Sequence, residues 1–239
     1  MQHVDILAVG AHPDDVELSC AGTLIAHIRR GYTVGLLDLT RGELGTRGSA
    51  DLRDREAADS AALMGASFRE NLDLGDGTFA NDDTARRRII SVVRACTPRL
   101  VLANALRDRH PDHGRAAALT ADACFFAGLR RIATERDGEP QDAHRPAQLF
   151  HYVQDYLRQP DFVVDVTETM DDKIACVKAF SSQFHDPDSD EPQTPLSGEE
   201  FFPFLYARAR EFGRPAGYTF AEGFERSRRF GVRDLLTLD

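Results

Sequence analysis

The chain has 239 residues, 42% of them apolar and 28% charged, which supports one domain with a sizeable buried core. Its net charge of −10 excludes the clustered Lys and Arg surface that a nucleic-acid partner requires. No stretch approaches about 18 uninterrupted apolar residues. The start, MQHVDIL, also lacks a basic region followed by a long apolar core, so a soluble, cytoplasmic protein with no membrane partner is expected.

Val4 to Ala11 is an apolar run bounded by Pro13 and reads as a buried strand. Residues 16–30 carry Leu24, Ile25 and Ile28 at helical spacing, and Gly31 stops them. Thr33 to Thr40 is the next strand. Residues 41–51 (RGELGTRGSAD) are Gly-rich and polar, a long loop. Leu52 to Ala66 is a helix, Phe68 to Leu74 a strand followed by a Gly75-Asp76-Gly77 turn, and Asp83 to Cys96 a helix ended by Pro98. Leu100 to Ala105 is a further buried strand. Residues 114–131 are helical, 134–146 a loop, Gln148 to Gln154 and Phe162 to Thr167 strands, and Asp171 to Phe184 a helix. The proline-rich, acidic stretch 185–198 reads as a long exposed loop of the kind that forms lids. Residues 199–212 form a last helix. The four cysteines, Cys20, Cys96, Cys124 and Cys176, show no Cys-x-x-Cys spacing and read as small buried hydrophobes in a reducing compartment.

Strands alternate with helices four times in the first half. That pattern implies an α/β fold with a mainly parallel sheet covered on both faces, followed by a smaller, irregular C-terminal part, all in one domain spanning 1–239. Ligands of such sheets lie beyond the carboxyl ends of the strands. Two related motifs fall there: Ala11-His12-Pro13-Asp14-Asp15 after the first strand and His110-Pro111-Asp112-His113 after the fourth. His, His and Asp are the ligand types of a catalytic zinc site with an open position, so His12, Asp15 and His113 are the expected metal ligands. Asp14 then remains as general base. His110 is left to stabilise an oxyanion or protonate a leaving amine, with Asp112 holding it in its charged form. Zn²⁺ suits this ligand set, although Fe²⁺ or another divalent ion fits it too. A nucleotide-binding module is disfavoured, because Val9-Gly10-Ala11-His12-Pro13-Asp14 is not Gly-x-Gly-x-x-Gly and puts acids where a pyrophosphate would bind.

With these two motifs the chain resembles the PIG-L/LmbE-like zinc-dependent N-acetylglucosaminide deacetylases. The resemblance extends through Arg53-x-x-Glu56, Leu74-Gly75-Asp76, the segment Lys178 to Phe184 and Ala221-Glu222-Gly223-Phe224. It implies a Rossmann-like fold, the same roles for His12, Asp14, Asp15, His110 and His113, a small-molecule glycoside as substrate, and a homo-oligomer, with a hexamer as one form. Arg109 to Arg115, Ser182-Gln183-Phe184 and Pro192-Gln193-Thr194-Pro195 point within the family to the bacillithiol-pathway branch, which deacetylates N-acetylglucosaminyl-malate. Two malate carboxylates need cationic partners, and Arg53 and Arg109 are the expected ones, while Asp76 is placed to accept bonds from sugar hydroxyls. Another N-acetylglucosaminide, or the amide of a thiol conjugate, is the alternative substrate.

Overall fold

In the computed structural model, which describes residues 2–184, 190–229, 231–234 and 236, β1 (Ile6–Gly10) is buried along its whole length. Its side chains alternate between two cores, as the period of two of a strand requires. Leu7 and Val9 pack with Ile89, Ile90 and Val93 of α3 (Asp83–Cys96) and Leu119 and Ala123 of α4 (Pro111–Ala127). Ile6 and Ala8 pack on the other face with Val16, Leu24 and Ile25 of α1 (Asp15–Arg29), Met64 of α2 (Ala50–Met64) and Cys176 of α5 (Met170–Lys178). The four cysteines are buried and unpaired. A third cluster joins Ile174 and Val177 to Phe180, Phe184 and to Phe201, Leu205 and Ala209 of α6 (Phe201–Gly213).

Among the described residues, the main sheet has seven strands. β2 (Val34–Asp38) and β4 (Leu100–Ala103) flank β1, β3 (Phe68–Asn71) lies outside β2, and β7 (Gln148–Tyr152) lies outside β4, all parallel. β9 (Ala221–Arg226) and β8 (Phe162–Asp165) continue the sheet in antiparallel pairing. The C-terminal part is thus less separate than its irregular pattern suggests. It supplies the far edge of the same sheet, and β9 was not expected as a strand. The expected 134–146 loop holds a small hairpin, β5 (Glu135–Arg136) with β6 (Glu139–Pro140). No helix among the described residues is long and apolar enough to cross a membrane.

Helix boundaries follow local chemistry. Ser49 and Asp82 cap α2 and α3, accepting the N–H groups of Leu52 and Ala85. α4 begins earlier than residue 114, because Pro111 occupies its first turn, where its missing N–H costs nothing. The helix expected to reach Phe184 ends at Lys178. The Glu56 carboxylate draws the following turn onto α2 by accepting from Ser182 N–H (2.7 Å), Ser182 Oγ (2.7 Å) and Ser181 Oγ (3.1 Å). The result that matters for function is the strand order: the chain leaves β1 for β2 on one side, and β4 returns on the other. The switch point between β1 and β4 is where such sheets open a crevice.

Candidate metal centre and active site

Both histidine motifs meet at that switch point. The rings of His12, His110 and His113 have centroids 4.7–5.6 Å apart. One donor nitrogen of each lies within 4.8 Å of the others. Asp15, the first residue of α1, reaches between them: Oδ1 is 3.1 Å from His113 Nε2 and Oδ2 is 3.6 Å from His12 Nδ1. The surrounding cavity has a volume of about 440 Å³ and is walled on its far side by Leu196, Phe204, Leu205 and Arg208. Residues 185–189 of the expected lid lie outside the described residues, whereas Gln193 to Leu196 of the same stretch line the cavity.

Outer partners orient each expected ligand, as second-shell groups do in metal sites. Asp108 takes His113 Nδ1 at 2.5 Å and so turns Nε2 toward Asp15. Asp76 takes His12 Nε2 at 3.0 Å, leaving Nδ1 for Asp15. A second donor group, His12 with Asp76 and Asp112, lies on that Nε2 side. The Asp76 carboxylate is already engaged there, its other oxygen accepting the Leu44 N–H at 3.0 Å. This corrects the expectation for Asp76: its carboxylate orients a ligand instead of facing sugar hydroxyls. Asp112 is corrected likewise. Its carboxylate accepts from Gly77 N–H (2.8 Å) and Arg115 (2.7 Å) and stands 3.5 Å from His12 Nε2. It meets His110 through its backbone N–H, which donates to His110 Nδ1 at 3.3 Å as an N-cap bond. A neutral His110 therefore carries its proton on Nε2.

The charge balance of the site fits a divalent cation. Five carboxylates, Asp14, Asp15, Asp76, Asp108 and Asp112, crowd around two buried imidazoles. Burial opposes charge on His12, but the hydrogen bonds of Asp112, Asp15 and Asp76 outweigh it and raise its pKa well above the ordinary value. His113 is likewise brought to about 9 against burial, by the charge of Asp15 and the bond to Asp108. Burial would raise Asp15, yet His113 and His12 hold it well below the carboxylate range. Protons drawn onto both imidazoles mark the position of positive charge that a metal ion would supply.

Asp14 is placed differently from Asp15. It occupies the N-cap position of α1, but its side chain makes no capping bond. Burial raises its pKa, opposed by Arg53, whose Nη2 stands 3.7 Å from Oδ2. Arg53 also donates to Gln183 Oε1. Arg53 thus lines the cavity, where a substrate carboxylate is expected to meet it, and is at the same time engaged with Asp14 and Gln183. Arg109 also lines the cavity, half-exposed, with Nε 2.5 Å from Asp155. Sequence reasoning missed Asp108, Gln154, Asn104 and Arg208, and it quoted Gln183 within a motif without giving it a role. Only Asp108 carried a signal, lying two residues before the second motif.

Gly42 shows how tightly Arg53 is held. Its φ is +64°, and a Cβ there would collide with the guanidinium. Gly42→Ala is expected to push Arg53 off Asp14, lowering kcat about tenfold or more, and to cost about 1–2 kcal/mol for the left-handed backbone. Paired kinetics and urea unfolding check this; unchanged kcat would separate Arg53 from the reaction.

Comparison with known proteins agrees with this geometry. Residues 7–124 match the family model PIG-L, GlcNAc-PI de-N-acetylase. The conserved protein TT1542 from Thermus thermophilus is 34% identical, with a TM-score of 0.84 and 96% of this chain and 98% of that one covered. Diacetylchitobiose deacetylase of Thermococcus kodakarensis is 28% identical over 91% of this chain and 81% of its own. The 4-oxalmesaconate hydratase of Pseudomonas putida is also 28% identical, over 75% of this chain and 74% of its own. With both histidine motifs gathered at one switch point in a donor set that could hold a metal ion, these matches identify a hydrolase: the chain belongs to the PIG-L family of N-deacetylases.

Proposed function

We propose that the protein removes the acetyl group from an N-acetylglucosaminide, with zinc held by His12, Asp15 and His113. The observation that carries this reading is Asp14, a buried carboxylate of raised pKa that caps nothing and faces the donor set. The three proposed ligands each have a fixed outer partner, whereas the His110 ring has no carboxylate bond and is half-buried, which suits proton work.

Zinc so held supplies Lewis acidity toward the amide carbonyl and toward water. Asp14 accepts the proton of the attacking water, and Arg53 favours its ionised form. The His110 Nε2–H is placed to donate to the oxygen that gains charge as the water oxygen bonds to the acetyl carbon. The C–N bond then breaks. Acetate departs, and the glucosamine nitrogen takes a proton from the acid that Asp14 has become.

The finer reading is that the aglycone is malate and the reaction a step of bacillithiol synthesis. Two cations on the cavity wall support it: Arg109 at the rim and Arg208, buried on carbonyl oxygens of Gln154 and Leu18 with no ion pair among the described residues. Cleavage of a thiol-conjugate amide would use the same groups. The hydratase likeness favours a second chemistry, addition of water to a carbon–carbon double bond.

Acetate release from N-acetylglucosaminyl-malate, diacetylchitobiose and N-acetylglucosamine decides among them. Release from all three with at least a tenfold higher kcat/KM for the malate glycoside supports the full reading. Equal rates remove the malate assignment. No release from any, with hydration of an unsaturated dicarboxylate, replaces deacetylation altogether.

A further inference from the structure

The carboxylate of Asp15 is held from behind by two neutral amides that come from different strands. Asn104 follows β4 and Gln154 lies two residues beyond β7, its parallel neighbour. Asn104 Nδ2 donates to Asp15 Oδ2 at 2.9 Å, and Gln154 Nε2 donates to Asp15 Oδ1 at 3.0 Å. The His12 backbone N–H adds a third bond, to Oδ2, at 2.9 Å.

The orientation of both amides follows from the donors around them. The Ala105 N–H can only donate, and it lies 3.1 Å from Gln154 Oε1. That oxygen is therefore fixed, and the Gln154 NH₂ must face Asp15. Asn104 Nδ2 sits between two acceptors, Asp15 Oδ2 and Gln154 Oε1 (3.0 Å), so both of its hydrogens are committed. All of these groups are buried. Asp15 thus cannot turn about its side chain without leaving a buried donor unpaired, which is unfavourable for each group so stranded.

We infer that Gln154 and Asn104 are positioning residues for the metal: they fix the Asp15 carboxylate so that its remaining lone pairs face His12 and His113. They neutralise no charge, since amide N–H groups are uncharged. The ligand thus keeps its negative charge and loses its freedom. The sheet contributes twice to the centre, once by ending β1 and β4 beside it and again by bringing the end of β7 up as a brace. This inference rests on the proposal that Asp15 is a ligand and on nothing about the substrate.

The test is zinc affinity, measured by competition with a chromophoric chelator on the full chain, with the unfolding midpoint of the metal-free protein recorded in parallel. Gln154→Met keeps the volume and removes the donor. It is expected to weaken zinc binding about 10–100-fold. Asn104→Ala, which removes the other brace, is expected to do the same and serves if Gln154→Met does not fold. Each variant also leaves buried polar groups short of a partner, so the metal-free midpoint falls too, and the zinc-loaded midpoint should fall further than that. Asp15→Ala is the control that separates the two claims. Loss of affinity there, with Gln154→Met and Asn104→Ala both within twofold of wild type, would overturn the brace. Wild-type affinity in Asp15→Ala would instead overturn the ligand assignment beneath it.

Discussion

Asp14→Ala is expected to lower kcat by about 10²–10⁴-fold, the range for removal of a general base, while leaving bound zinc and fold intact. Most substitutions of a buried acid at a helix start damage stability, because the side chain caps the helix and its loss costs about 1 kcal/mol. Asp14 stands at the N-cap of α1 and makes no such bond. It also pays for its burial, which raises its pKa, with relief first from Arg53 3.7 Å away and then from His12. The position is thus poorly used for stability, and Asp14→Ala should unfold at the same urea concentration as wild type or a higher one. The sign of the pH effect follows from the same contacts. Arg53 favours ionised Asp14, so Arg53→Met should raise the Asp14 pKa further and move the acid limb of kcat/KM to higher pH. An Asp14→Ala enzyme within threefold of wild-type kcat would remove Asp14 from the reaction. An acid limb unmoved in Arg53→Met would remove the link between the two.

The reaction centre was more legible in the chain than the structure that braces it. His12, Asp15 and His113 stand out because each motif closes an apolar run, and a parallel sheet places such ends together. The first four parallel strands follow from the same alternation, and the fifth, β7, was expected separately as a strand over Gln148 to Gln154. Asp76 and Asp112 were recognised as site residues but given the wrong neighbours: sequence spacing does not say which face of His12 a carboxylate from another loop will reach. For the same reason the Asp14 carboxylate beside Arg53 was not foreseen. The helix expected from residue 114 begins at Pro111, which makes His110 its cap.

The far edge of the sheet was hidden by its polar content. β9 carries Glu222 and Glu225, both buried. Glu222 is neutralised by Lys173 at 2.5 Å and accepts the N–H groups of Gly22 (3.1 Å) and Thr23 (2.7 Å) in α1. A strand whose buried face carries charges satisfied from 49 and 200 residues away has no periodic signature. Gln154 was equally silent, because a glutamine after a strand is an unremarkable residue until its partners are known.

The same kind of buried charge underlies the catalytic loop, and Arg69→Met should expose its importance by costing about 3–5 kcal/mol of folding stability. Arg69 on β3 donates to Asp38 at the end of β2 through Nε (2.7 Å) and Nη2 (2.9 Å), and to Glu17 in the first turn of α1 through Nη1 (2.6 Å). Glu17 and Asp38 are 0% and 2% exposed. Ser60 on α2 supplies one further bond to Glu17, at 2.8 Å, while Glu17 Oε2 has none. With Arg69 gone, Glu17 would keep one hydroxyl partner, and Asp38 would have no side-chain partner among the described residues. For a chain of this length the loss corresponds to a fall in Tm of roughly 10 °C. Burial already pushes Asp38 up to about 6 despite Arg69. A carboxyl whose folded pKa is raised binds its proton more tightly in the folded state, so its contribution to stability declines as pH rises from 3.8 toward 6. Without Arg69 the Asp38 carboxyl would move higher still. The deficit of Arg69→Met should therefore be larger at pH 8 than at pH 5, and urea unfolding at the two values measures it. A deficit below 1 kcal/mol at pH 8 would mean that water or a shifted side chain replaces the guanidinium. The triple variant Glu17→Gln, Asp38→Asn, Arg69→Met should recover most of the loss, because the penalty comes from the charges left behind and not from the missing contact.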